Sequence, residues 1–113
     1  MSVSYEGFNV NALTFKCSVE IAKGTPVKIY ASNKVMACSD GEAFHGVVVD
    51  SDSKYSSVQV AGIVTLPYTG AAPATGYNNL VANGSGGAKV STTGGRYLIV
   101  EADETAKTVT FLM

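Results

Sequence analysis

Apolar and polar residues alternate with a period of two along much of this chain. Phe15, Cys17, Val19 and Ile21 alternate with Thr14, Lys16, Ser18 and Glu20. That rhythm puts every second side chain on one face and predicts a strand over 14–21. The turn Lys23-Gly24-Thr25-Pro26 follows, then strands over 27–31 and 34–37 folded back on each other at Ser32-Asn33. The apolar run 44–49 predicts a buried strand, 50–56 a polar loop, and 57–66 one long strand with a bulge at Gly62. Later strands are expected over 79–82, 88–91, 97–101 and 108–113, separated by Asn83–Gly87, Thr93–Gly95 and Asp103–Ala106. No stretch of about ten residues carries a helical period, so one short turn near Ser39–Ala43 is the most helix expected.

The chain also repeats its own plan. Residues 45–60 lie over 96–111 without a gap. Val47-Val48-Val49 falls on Leu98-Ile99-Val100, Asp50 on Glu101, Asp52 on Asp103, and Val58 and Val60 on Val109 and Phe111. Upstream, Gly24 precedes Val27-Lys28-Ile29 as Gly76 precedes Asn79-Leu80-Val81. The pattern predicts an all-β, barrel-like domain of the β-tulip or β-clip kind over 14–113, with similar halves at about 24–65 and 76–113. The connector 66–77, with Pro67, Pro73, Gly70 and Gly76, reads as an ordered joint between them. Residues 1–13 lack a sustained period yet carry Tyr5, Phe8, Val10 and Leu13. They read as an arm that orders against a partner, in place of the frayed terminus most domains have.

With 113 residues the chain makes one domain. A charged fraction of 15% with 12 Gly suits tight turns and a surface partly covered in an assembly. The net charge is −1 and the eight Lys and Arg are scattered, which argues against nucleic-acid binding. No apolar run approaches the roughly 20 residues of a membrane span, and the start Met1–Glu6 does not resemble a secretory signal. The chain is therefore expected to be made in a cytoplasm and kept there until release. Cys17 and Cys38 are expected as free, buried thiols.

Candidate chemistry is sparse. His45 is the only histidine, and a general base needs an orienting partner and a substrate proton within reach. Gly84-Ser85-Gly86-Gly87-Ala88-Lys89 lacks the Lys-Ser/Thr pair at a helix start that a phosphate loop requires, and reads as a hairpin turn. Asp50, Asp52, Glu101, Asp103 and Glu104 form two acidic loops whose spacing does not match a calcium loop, so they read as solvated turns. No cofactor or metal is expected, and no catalytic residue. Tyr68 and Tyr77 lie in the connector, where they could form a protein interface or stack on a sugar.

The run Val58–Val90 and the ending Arg96–Met113 resemble head-decoration and head-fibre proteins of tailed bacteriophages. That resemblance, over about Gly24–Met113, implies a structural role on the outside of the virion, made in the bacterial host's cytoplasm. Such proteins bind the major capsid protein shell, often as homotrimers, and cement neighbouring capsomers. The arm, with Tyr5, Phe8, Val10 and Leu13, matches in position and character a segment that adds to a strand of the shell. The alternative expectation is a carbohydrate- or host-surface-binding module on the virion with Tyr68 and Tyr77 as stacking groups. Neither reading involves catalysis, nucleic acid or a membrane.

Overall fold

The computed structural model describes residues 11–113. Alternation does set the elements, and all are strands: β1 Asn11–Lys16, β2 Pro26–Ala31, β3 Lys34–Ala37, β4 Gly46–Ser51, β5 Tyr55–Ala61, β6 Ile63–Pro67, β7 Gly76–Ala82, β8 Ala88–Val90, β9 Gly95–Asp103 and β10 Thr108–Leu112. The turn residues work as their chemistry requires. Asn33 takes a positive φ of 58° between β2 and β3, and Asn83 folds the β7–β8 turn by accepting hydrogen bonds from the Ser85 and Gly87 N–H groups. Residues 39–43 form a turn and no helix.

β1–β5 close a barrel in the order β1-β3-β2-β4-β5, and β6–β10 form a sheet in the order β6-β10-β9-β7-β8. The two pairing schemes are the same: the first strand pairs with the fifth, the fifth with the fourth, the fourth with the second and the second with the third. They also close at the same place. A parallel pair, Lys16 with Lys34, joins β1 to β3, and a parallel bridge, Tyr68 with Ala88, brings the chain just past β6 against β8. The bulges repeat as well. Val49 is the extra residue opposite β5, and Val100 the extra residue opposite β10.

Register corrects the ungapped alignment in three respects. Val48 does correspond to Ile99, and each stands beside its bulge, but Val48 pairs with Val58 whereas Ile99 pairs with Phe111. The partner of Val58 in the repeat is therefore Phe111 and not Val109, because the β9–β10 hairpin is two residues longer. Next, the strand expected over 57–66 is two strands in two sheets. Gly62, at φ 102°, breaks it, and the Gln59 amide donates to the carbonyls of Ala61 and Ile63 on either side. The halves thus meet at Gly62, and the connector after β6 lies inside the second half. Finally, the alternation over 14–21 covers a strand only to Lys16. β1 begins at Asn11, so Leu13, assigned above to the arm, is a strand residue paired with Val58. Tyr5, Phe8 and Val10 lie outside the described residues.

The two cores differ. The first holds Ile21, Val27, Val35, Val48 and Val58. The second holds Val64, Leu66, Tyr68, Leu80, Ile99, Val109 and Phe111, and it also takes Phe44 and Val47 from the first half. Phe44 stacks on Tyr97 at 5.2 Å between ring centres and meets Phe111 at 6.0 Å. The loop carrying Phe44 is pinned to the second half through hydrogen bonds from Gly41 N–H to the Ala82 carbonyl and from Ala82 N–H to the Glu42 carbonyl, and by Lys89 on Asp40 at 2.7 Å.

Candidate functional site

The seam that closes the first barrel carries a groove and an adjoining cleft. β1 and β3 meet only at Lys16 and Lys34, and beyond that pair the chain leaves β1 as the irregular segment 17–25. Ser51 holds this segment: its hydroxyl accepts the Ile21 N–H at 3.1 Å and lies 2.8 Å from the Ser56 hydroxyl. An apolar groove of about 550 Å³ opens between 17–22 and β3, with Ile21 and Val35 in its lining and Val19, Tyr30 and Met36 exposed around it. A second cleft of about 270 Å³ adjoins it, lined by Lys16, Cys17, Ser18, Tyr30, Lys34, Lys54 and Tyr55. It shares Cys17, Ser18 and Tyr30 with the groove.

The residues singled out in the sequence fare differently. Leu13 is exposed on β1. Tyr68 is 4% exposed within the second core, with Lys107 over its ring at 5.8 Å and no hydrogen-bond partner for its hydroxyl. Tyr77 is 62% exposed on β7, with the Arg96 guanidinium 5.1 Å from its ring centre. Burial of Tyr68 removes it as a stacking group, so the two tyrosines do not make one sugar-binding face. The connector packs under Tyr68, and the exposed aromatics of the seam are Tyr30 and Tyr55.

The remaining candidates build structure. His45 Nδ1 accepts the Ile29 N–H at 2.9 Å and so braces β2. Asp52 accepts the N–H groups of Lys54 and Tyr55, and Asp103 those of Thr105 and Ala106, so the repeated aspartate is a repeated turn. These backbone donors hold the Asp52 carboxyl below its usual range. Lys28 and the Ser39 N–H do the same for Glu42. Cys17 and Cys38 are free and half-buried. Burial, aided by Glu42, pushes the Cys38 thiol up to about 11. Among the described residues no three His, Cys, Asp or Glu side chains gather in a way that would hold a metal.

The lysine–tyrosine cleft escapes a reading of the sequence because its parts are far apart along the chain. Lys16 and Lys34 become neighbours only through the parallel contact between β1 and β3, for which no local pattern exists. Comparison with family models and with curated proteins finds no match to this chain.

Proposed function

We propose that this chain is a non-enzymatic decoration protein of a tailed-phage head, bound to the outer surface of the major capsid protein shell. It acts as a clamp between neighbouring capsid subunits, and as a homotrimer it would multiply weak single contacts. One observation supports this beyond the resemblance: the way the body takes up its N-terminal segment. β1 starts at Asn11, immediately after the stretch with Tyr5, Phe8 and Val10, and is paired with β5 along its length. A pull along β1 loads that ladder in shear, so several hydrogen bonds of about 1 kcal/mol net each resist together. A segment that grips the shell would then be anchored in a barrel and not in a loop.

The test is co-sedimentation with expanded heads that lack this protein. The full chain should bind saturably, and Tyr5→Ser/Phe8→Ser should bind at least tenfold more weakly while keeping the native β spectrum. Failure of the full chain to bind overturns the decoration reading. Equal binding by the double variant keeps decoration and moves the contact to the body. Any truncation should stop at residue 10, because Asn11–Leu13 belong to β1.

A further inference from the structure

The lysine cleft is costly to the fold that carries it. Lys16 and Lys34 are register partners across the seam, so two ammonium stems leave neighbouring strands about 4.8 Å apart. Like charges placed opposite each other destabilise a sheet. Lys54 joins them in the cleft wall, with its carbonyl accepting the Cys17 N–H at 2.9 Å. Among the described residues the two lysine ion pairs lie elsewhere, Lys28 with Glu42 and Lys89 with Asp40. Asp52 is engaged chiefly by the backbone N–H groups of Lys54 and Tyr55, with the Lys54 charge a smaller influence on its carboxyl.

The fold does not require this arrangement. The second half closes the same seam with Pro67, Tyr68 and Ala88, which carry no charge. The twin seam does hold one lysine, Lys107, which lies over the Tyr68 ring and whose carbonyl accepts the Tyr68 N–H as that of Lys54 accepts the Cys17 N–H. The facing pair Lys16 and Lys34 has no counterpart there and is a property of this surface and not of the architecture. Tyr30 and Tyr55, 46% and 50% exposed, add two ring faces to the same cleft.

We propose that the cleft formed by Lys16, Lys34, Lys54, Tyr30 and Tyr55 binds an acidic saccharide. A carboxylate or sulfate of the sugar lies among the three ammonium groups, and the apolar face of a sugar ring lies on a tyrosine. The dimensions suit one or two sugar residues, being near the lower end of the roughly 300–1,000 Å³ of small-molecule sites. A polynucleotide would need a basic track to follow its phosphates. Here Lys28 and Lys89 are already paired with acids and the net charge is −1. The chemistry of the cleft does not depend on the decoration reading. Its direction does: the cleft lies past the Lys16 end of β1, one strand length (about 17 Å) from the Asn11 end where the N-terminal segment joins, so a protein gripping the shell by that segment presents the cleft outward.

The test is titration calorimetry of the full chain with trigalacturonate, a sulfated galactose trimer and neutral galactotriose. An oligothymidylate octamer and hexaglutamate serve as rival anions. At least one acidic trimer should bind with a submillimolar Kd that weakens with salt, and the neutral trimer should not bind. Lys34→Gln and Tyr55→Ala should each weaken binding at least fivefold. Lys34→Gln should also raise the Tm, because it relieves the pair with Lys16, a gain that a purely structural lysine would not show. The inference is overturned if neither acidic trimer binds, if a rival anion binds more tightly, or if both substitutions leave binding unchanged. Because no capsid is present, the outcome is separate from that of the decoration test.

Discussion

The two halves of this molecule share a strand order, a pair of bulges and a closing seam, yet they are filled differently. By register Tyr97 corresponds to Gly46, Phe111 to Val58, Val109 to Ser56 and Val64 to Leu13. At each position the second half has the larger or better-buried apolar group. Val64 is 5% exposed and Leu13 53%. The second half also receives Phe44 from its neighbour, through a β3–β4 loop longer than the matching β8–β9 loop. Among the described residues the first half receives no such plug and keeps an apolar groove and a charged cleft at its seam. One backbone plan thus serves two ends: a well-filled half suited to supplying stability, and a leaner half whose openings are available for binding.

The sharpest way to break that comparison is Phe44→Ala. Phe44 is buried against Tyr97 and Phe111, so its loss should cost about 3–5 kcal/mol in denaturant unfolding. Val58→Ala, its counterpart test in the smaller core, should cost about 2 kcal/mol. If the two effects prove equal, the halves are not unequal partners in stability. Gly46→Ala probes the space that Tyr97 occupies in the other half. A Cβ at residue 46 would meet the Gln59 carbonyl at 2.7 Å and crowd Val58, so the change should destabilise by about 1–3 kcal/mol. A neutral result would show that the small core can expand.

Smaller effects are electrostatic. Glu42 anchors the plug loop and its folded pKa is lowered, chiefly by Lys28. A lowered carboxyl pKa contributes stability that is fully present above the unfolded value of about 4.3 and is lost as pH falls through the folded value. Glu42→Gln should therefore be less stable than the native chain at pH 7, with the difference vanishing in acid. A gap in stability that persists in acid would assign the loss to packing. Asp52→Asn should behave in the same sense, since its lowered pKa comes from turn N–H groups. The smallest effect is chemical. Each core has one cysteine against it, Cys17 against the first and Cys38, on the β3–β4 plug loop, against the second. With a pKa of about 11, Cys38 should have about a thousandth of its thiol ionised at pH 8 and alkylate slowly with iodoacetamide. Mass mapping of the labelled chain checks this, and rapid Cys38 labelling would mean that the plug loop opens.

Much of the fold was legible. Strand positions followed from alternation and from Gly, Asn and Pro at turns, and β3 was placed to the residue. The repeat was legible too, even with the wrong register after Asp103. The slip is two residues, and a strand has a period of two, so Val109 and Phe111 still face inward. What failed had a common cause. Gly62 reads as a bulge because a positive φ is local, whereas the change of sheet that follows it is not. Leu13 reads as part of an arm because its partner, Val58, lies far along the chain. Tyr68 reads as a surface aromatic because a connector rich in Gly and Pro gives no sign that it packs inward.

By itself the sequence determined an all-β chain of two like halves, with low charge and aspartates that build turns, because alternation, turn propensity and side-chain capping act over a few residues. Tertiary structure alone decided where the halves divide, which core Phe44 enters, and that Lys16, Lys34 and Lys54 share a cleft with Tyr30 and Tyr55. Each of these depends on strands distant in sequence meeting in one register. That contact is set by the packing of the whole chain, and no local pattern encodes it.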